Sequence, residues 1–474
     1  VHGPLGVHQR LDAESSGVMV FSRSERGARC LARQFEVHSV RKVYRTLHLR
    51  QPALSTHPQT FEDVLDAASP ERLARSQYRS LRTLGPYSLA ELEIETGRTH
   101  QIRRQLANRQ APILGDSKYG GGSGTGRMLL HAYELSFNSP NGERLCFRAP
   151  LPELLDEHCS LAALLRAIAQ TLSTPEHPQQ ALRVAELGDL GLPELRLDRY
   201  GPALALRRYV PNPKGHSLWE DDALELLADA ACERLGCSAA YLFDHLPHAG
   251  PRAEGGTLLC GEALDEPFEV REAGARFEVS MNDGLGCGLY LDQHDNRQWL
   301  REQAAGARVL NLFAYTSSFS VAAALGGAAA CVSVDLSRKA MRQAQRNFEL
   351  NAIDPSLHQF IADDCFDYLR RAQRRGLRFD LVVCDPPSFA RNGKRHFSLA
   401  RQLDALMLDC LRMLSPGGRL LFCSNHREIS PRRLEQALLN AAHQRTLGMP
   451  QSETLGRLPE TGSRFCVLRA RFDS

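Results

Sequence analysis

From about residue 300 onward the chain alternates short apolar strands with helical segments: "RVLNLF", "SFSVAAALGG", "CVSVD", "RKAMRQAQRNFELN", "FDLVVCD", "RQLDALMLDCLRML" and "RLLFC". Strands separated by helices read as βαβ units, which predicts a mostly parallel, doubly wound sheet. Such sheets bind ligands at the carboxyl ends of their strands, and acids fall at those ends here. Asp335 closes "CVSVD", 24 residues after Asn311 of the first strand, a spacing that suits a carboxylate accepting hydrogen bonds from ribose hydroxyls. Asp364, with Cys365 beside it, follows the third strand, where an adenine edge would lie; Asp385 opens "DPPSF" after the fourth. The first loop, "LNLFAYTSSFS", lacks the G-x-G-x-x-G needed for a tight pyrophosphate turn, which argues against a nicotinamide cofactor. A nucleoside with a small zwitterionic tail, S-adenosylmethionine, fits better. Any one of these acids alone is more often a strand-end cap; three in order favour a site.

In "DPPSF", Pro386 and Pro387 fix φ and remove two backbone donors. That leaves rigid carbonyls and the Asp385 carboxylate to accept hydrogen bonds from a planar, nitrogen-bearing substrate, on which Phe389 can stack. With the methyl group already activated on sulfonium, alignment supplies most of the catalysis.

Upstream the pattern differs. Residues 1–150 read as short strands with turn signals, and the alternation in "LAELEIE" supports a half-buried antiparallel sheet. Helical spacing covers 151–170, and "STPEHPQQ" (173–180) reads as a linker. A small mixed α/β domain is expected over 181–275, and the catalytic domain over 276–474. The net charge of +3 says little, but residues 1–150 carry 21 Lys/Arg against 14 Asp/Glu while the rest carries 37 against 41. A basic segment favours a polyanion such as RNA; a solvated basic face is the plain alternative. Thirteen Cys without a CxxC pair argue against structural zinc or a disulfide framework, so no metal is expected. Without a signal peptide or a 20-residue apolar run, the expectation is a cytoplasmic protein with no membrane partner. The chain lacks a starting Met, so truncation is one expectation.

"GLYLDQHDNR", "VLNLFAYTSSFSVAAALGGAAACVSVDLS", "NFELN", "ADDCFDYL" and "FDLVVCDPPSFA" closely resemble the large-ribosomal-subunit RNA methyltransferases of the RlmI/RlmK kind, over roughly 181–474. The resemblance implies a Rossmann-like catalytic domain that binds S-adenosylmethionine through Asn311, Phe313, Tyr315, Thr316, Ser317, Asp335, Asp364, Cys365 and Asp385. It also implies substrate contacts from Gln293, Arg297 and Asn425. The family usually has Tyr-Thr-Gly where Tyr315-Thr316-Ser317 stands, so strain is expected at Ser317 if the turn needs positive φ. Methylating cytosine C5 requires a Cys thiolate. Relatives that do so carry it in Phe-Ser-Cys-Ser after a Gly-Gly turn, whereas Cys423 falls two residues early, a shift of about 6.6 Å. "FCSNHR" is closer to the Phe-Ser-Asn-Asn-Lys of guanine-modifying relatives, so guanine is favoured. Cys384 is expected in the core.

"RLDAESSGVMVF", "RKVYRTL", "ETGRTHQIRRQLANRQAPILGDSKYGG" and "LLHAYELSF" resemble the RluA-type pseudouridine synthases, over 1 to about 150. The resemblance implies an α+β domain that needs no cofactor, with Asp12 as the catalytic carboxylate beside a flipped uridine. Arg103 is its expected ion-pair partner, with Arg98 second; Tyr44 would stack on the base and Leu130 would line the pocket. Gln9 stands where the family has His, and only nine residues precede Arg10, so the expected domain is partial. Together these readings predict a bifunctional enzyme acting on RNA, ribosomal RNA by resemblance. The alternatives are a methyltransferase whose N-terminal half only clamps RNA, and a protein methyltransferase, since Asp-Pro-Pro segments also serve amide nitrogens.

Overall fold

The computed structural model describes residues 5–472 apart from 55–56, 67–72, 187, 210–216, 246–254, 393–394, 427–428, 445–449 and 456–465. Val210 of the strand "PALALRRYV" and Arg427 of "FCSNHR" lie outside the described residues. Three sheets dominate: a mostly antiparallel N-terminal sheet, a mixed five-stranded middle sheet and a seven-stranded, mostly parallel C-terminal sheet.

In the N-terminal sheet the strands run in the order Ser16–Gly17, Leu130–Asn138, Arg41–Leu49, Tyr87–Ile94, Ala74–Leu84 and Gln59–Asp63. Arg41–Leu49 pairs on both sides and is antiparallel to both neighbours. Its alternation places Tyr44 and Thr46 on the face opposite Arg45 and Leu47, and the register with Leu130–Asn138 shifts by one between Val43 and Tyr44. The helical spacing of 151–170 is realised over half its length. Residues Glu153–Leu155 form a 3-10 turn, and the α-helix runs only over Leu161–Gln170, where the Ser160 side chain caps it by accepting from Ala163 N. The prolines and Asp156 before it favour a turn.

The middle sheet is buried on both faces, and period-two alternation sorts its side chains. Leu204 and Leu206 of Ala203–Tyr209, with Ala240 and Leu242 of Ala239–His245, enter one core with Leu47, Tyr87 and Leu89 of the N-terminal sheet and Leu129 just before its strand Leu130–Asn138. Ala203, Ala205, Ala239, Tyr241 and Phe243 face the other way, into a core shared with Val309, Val321, Leu381 and Leu421 of the C-terminal domain. Helix Leu161–Gln170 fills the first of these cores through Leu164, Leu165 and Ile168, all fully buried. Backbones also meet there: a Cβ on Gly122 (φ +70°) would stand 2.0 Å from Gly191 N, and Tyr87 donates to Gly191 O at 2.8 Å. Residues 173–180, read as a linker, are gripped by Arg199, which is 1% exposed and donates to the carbonyls of His177, Pro178 and Gln180.

The C-terminal sheet has the order Gln359–Ala362, Ala330–Asp335, Arg308–Leu312, Phe379–Cys384, Leu414–Ser424, Cys466–Arg471 and Gln451–Leu455. The first five are parallel; Cys466–Arg471 runs against them and pairs antiparallel with both of its neighbours. The crossovers turn to opposite sides of Arg308–Leu312, which makes its carboxyl end the switch point where a crevice opens. Below it, Tyr200 of the middle sheet donates to Leu289 O at 2.9 Å, and Thr316 of the first loop donates to Gly288 O at 2.7 Å. The segment around 288 thus ties the middle sheet to the loop at the switch point.

Because one core serves two sheets, Ile168→Ala is expected to cost about 2–5 kcal/mol and to weaken both together. Urea unfolding followed by Trp219 fluorescence and by amide exchange in Arg41–Leu49 checks this; exchange that stays protected after the Trp219 transition would refute a shared core.

Candidate active sites

A cavity of about 890 Å³ opens at the switch point, within the size range of small-molecule sites. Its walls include Phe313, Tyr315, Asp335, Asp364, Cys365, Asp385, Pro386, Pro387 and Phe389, together with Gln293, Arg297 and Asn425. Asn311, Thr316 and Ser317 are not in the wall. Asn311 lies beneath the loop, donating to Ser320 Oγ at 3.0 Å, and Thr316 anchors the loop on Gly288 as described.

The loop itself is strained: Phe313, Tyr315 and Ser317 have φ of 57°, 47° and 61°. Left-handed backbone at non-glycine residues costs of order 1–3 kcal/mol each, and Ser317 does so where the family usually has Gly. Two acids hold the ends of the strands. Asp335 accepts from Tyr315 N at 2.9 Å and Ser337 N at 2.8 Å, which fixes the strained loop over the strand end. Asp364 caps helix Cys365–Arg374, accepting from Phe366 N at 2.9 Å. Cap and cavity wall are therefore compatible roles for one acid.

Asp385 is a strongly perturbed acid. Burial pushes its carboxyl up to about 7; Asp292 adds to this, against the Gln293 hydrogen bond and the Arg297 charge. Gln293 donates to Asp385 Oδ2 at 2.9 Å and accepts from Asn296 at 2.6 Å. Arg297 is clamped by Glu272 through two 2.6 Å bonds. At the mouth Phe389 is 69% exposed, and Ser388 donates to Asn425 Oδ1 at 2.9 Å. Cys384 and Cys423 are fully buried, burial raises both thiols well above their ordinary value, and neither lines the cavity. Asp292, Tyr290, Phe366 and Phe397 also line it and were not singled out from sequence. Asp292 stands next to Gln293 in "GLYLDQHDNR", so proximity to a chosen residue was the available signal.

At the N-terminal site, Arg103 donates through Nη1 to Asp12 Oδ2 at 3.2 Å. Its other edge is held by Asp116, which accepts from Nε at 2.7 Å and from Nη2 at 2.8 Å. Asp116 is 1% exposed, so it locks the guanidinium in one plane while Nη1 faces Asp12. His100, whose Nε2 lies 3.9 Å from Asp12 Oδ1, shares a 3.0 Å hydrogen bond with Tyr119, and Arg103 lies over the Tyr119 ring at 5.0 Å. His100 (φ +53°) precedes helix Gln101–Asn108, so "GRTHQIR" is the turn that delivers Arg103. Tyr44 is near: burial, with Asp12 adding to it, pushes its phenol up to about 12. Leu130, 4% exposed, packs in the same cluster as Tyr44. Arg98 engages this turn through its backbone N–H on Gln101, and its Nε is buried without a hydrogen-bond partner among the described residues. Asp116, His100 and Tyr119 were not anticipated; the sequence signal was an acid within "GDSKYGG", a segment quoted only for its resemblance.

Residues 239–458 match the family of S-adenosylmethionine-dependent methyltransferases, and residues 3–108 match the RNA pseudouridylate synthases. The chain thus carries a methyltransferase domain and a pseudouridine synthase domain. Among relatives, it is 38% identical over 257 residues to the ribosomal RNA large subunit methyltransferase K/L of Chromohalobacter salexigens, covering 52% of this chain and 34% of that protein. It is 44% identical over 169 residues to the methyltransferase K of Neisseria meningitidis serogroup B, covering 35% and 48%. The chain therefore spans between a third and a half of the length of these two. SMU.776, a methyltransferase solved in complex with SAH, shares the fold with a TM-score of 0.55 at 24% identity, covering 76% of this chain and 89% of that one. A SAM-dependent methyltransferase from Streptococcus mutans gives a TM-score of 0.54 at 23% identity, covering 71% and 87%. Among the described residues no helix is long and apolar enough to cross a membrane, and no group of three acids, His or Cys is placed to hold a metal.

The Asp385 proton gives a pH signature. With its pKa raised to about 7 in the folded protein, its favourable contribution is full below about pH 4 and is lost as pH rises through 7. Asp385→Asn removes that loss. The stability of parent minus variant should fall by about 1 kcal/mol between pH 6 and pH 8, measured by urea unfolding at both; an unchanged difference would contradict the raised pKa.

Proposed function

We propose that the chain is a bifunctional RNA-modifying enzyme: it isomerises a uridine to pseudouridine at Asp12 and methylates a base, guanine in preference to cytosine C5, at Asp385. The observation that supports this reading is that an acid-walled cavity in a methyltransferase domain and an Asp12–Arg103 pair in a pseudouridine synthase domain stand on opposite flanks of one middle sheet. Large-subunit ribosomal RNA is the proposed substrate, after the names of the relatives, with the reaction in the cytoplasm.

S-adenosylmethionine would supply a methyl group activated on sulfonium. The cavity suits it: the volume is adequate, Asp335 has lone pairs beyond its two backbone donors, and aromatic residues flank the strand ends. Asp335 would take the ribose hydroxyls, and Asp364 with Phe313 and Phe366 would frame the adenine. Phe389, exposed at the mouth, would stack on the target base. Asp385 in its ionised form, with the carbonyls of Pro386 and Pro387, would accept hydrogen bonds from the N–H groups of the base. Cytosine C5 chemistry would need a thiolate, and the burial of Cys423 outside the cavity wall favours guanine.

At the other site Asp12 would act on the ribose as attacking carboxylate or as base, while the uracil detaches, turns and rejoins through C5. Arg103 would hold Asp12 in its reactive rotamer, and Asp116 would hold Arg103. Tyr44 would stack on the uracil and Leu130 would close the pocket wall. No cofactor enters this reading.

Mass spectrometry of RNA from cells lacking the gene tests both halves. One pseudouridine and one methylated guanine should disappear. Asp12→Asn should restore only the methyl group, and Asp385→Ala only the pseudouridine. If Asp12→Asn restores pseudouridine, the N-terminal half is a clamp. If label from S-adenosylmethionine enters protein but not RNA, the substrate reading fails.

A further inference from the structure

Asp292 sits in the turn Leu291–Gln293, inside the cavity wall. It is 8% exposed, and its Oδ1 is buried with no hydrogen-bond partner among the described residues. Buried carboxyl oxygens are nearly always satisfied, so an orphan lining a ligand cavity points to a group that arrives with the ligand.

The other charges of the wall are engaged by the protein itself. Arg297 is doubly bonded to Glu272, Arg370 pairs with Asp367, Asp335 takes two backbone N–H groups and Asp364 caps a helix. Arg297 and Arg370 are thus held by protein carboxylates, while the charge of Asp292 opposes ionisation of Asp385 against that of Arg297. Among the described residues neither acid of the pair is ion-paired; the nearest cations, Arg183 toward Asp292 and Arg297 toward Asp385, are themselves bonded to Asp198 and Glu272. The groups facing Asp385 are Asp292, Gln293 and Arg297, with Tyr290 and Cys423 beyond them.

Resting on the S-adenosylmethionine reading, we infer that Asp292 recognises the positive charge of the methyl donor, so that the cavity prefers the sulfonium form over its neutral thioether product. Donor and product differ by one methyl group and one positive charge, and the charge disappears when the methyl group leaves. A carboxyl pair facing that charge binds the donor and loosens on the product without any moving part. It also links donor binding to a proton: a cation beside the pair favours the ionised form of Asp385, so the donor should expel a proton that the product leaves in place.

Titration calorimetry with S-adenosylmethionine and S-adenosylhomocysteine tests this on the full chain. In two pH 7 buffers of different ionisation enthalpy, the donor should release about half a proton from the parent protein, given Asp385 near its midpoint, and the product close to none. Equal release for both ligands overturns the inference and requires no variant. Asp292→Asn should weaken the donor about tenfold, one pKa unit's worth of interaction, and the product less than about threefold. Equal weakening of both, or none, also overturns it. Failure of the parent to bind either ligand is a different result: it removes the cofactor reading itself.

Discussion

The architecture depends on the two-faced burial of the middle sheet. A strand buried on one face alternates apolar and polar residues; one buried on both reads as a continuous apolar run. "ALAL" in Ala203–Tyr209 and "AAYLF" in Ala239–His245 are such runs. Small residues and aromatics face the methyltransferase core, and leucines face the synthase core. Neither flanking domain can shift on this sheet without exposing apolar surface, at roughly 25 cal/mol per Å². The consequence for function is geometric: the two sites keep a fixed relation, which on the proposed reading an RNA reaching both must fit.

The charged groups inside that sheet reinforce the same constraint. Asp198 is buried between Arg183 and Arg207, accepting from them at 2.8 and 2.7 Å. Burial pushes its carboxyl up, but the two guanidinium groups outweigh this and hold it well below the usual range. Arg207 continues to Tyr200 at 3.2 Å, and Tyr200 to the carbonyl of Leu289. Buried ion pairs are weak sources of net stability but discriminate sharply between alternative packings. Here the chain of contacts ends at the turn that carries Tyr290, Asp292 and Gln293, so the middle sheet sets the position of one cavity wall. The strain at Phe313, Tyr315 and Ser317 is held from two sides, by Asp335 at the strand end and by Thr316 on Gly288 of that same segment.

Legibility in the sequence followed the range of the interaction. The parallel sheet was readable because strand–helix alternation is local, and the strand-end acids were readable because topology brings strand ends together whatever the loops do. The positive φ at Ser317 could be anticipated because the turn's demand on backbone is independent of side-chain identity. Asp116 was different: it lies 13 residues from Arg103 in sequence, and only the fold of "GDSKYGG" back onto helix Gln101–Asn108 makes them a bidentate pair. The linker reading of 173–180 rested on polar and proline-rich composition, which registers missing side-chain hydrophobicity but not a buried arginine from another strand collecting its carbonyls. The helix expected from 151 began ten residues later, because spacing reports a favourable face and says nothing of where a cap and prolines let the helix start.

The electrostatics of the two ends of the chain complement each other in a way composition alone only hints at. The methyltransferase cavity is walled by Asp292, Asp335, Asp364 and Asp385, a poor environment for a phosphodiester. The surplus of Lys and Arg lies instead in residues 1–150, where helix Glu25–Glu36 exposes Arg26, Arg29 and Arg33 at a spacing that shares one helix face. On the proposed reading, an RNA strand would be held by its phosphates on basic surface and would send only a base into the acidic cavity. Repulsion between cavity and backbone then becomes a selection rule: an extruded base is admitted, whereas a stacked strand with its phosphates is kept at the mouth. Acidity in the pocket and basicity on the flank are thus two parts of one requirement, separating the atom to be methylated from the charges that deliver it.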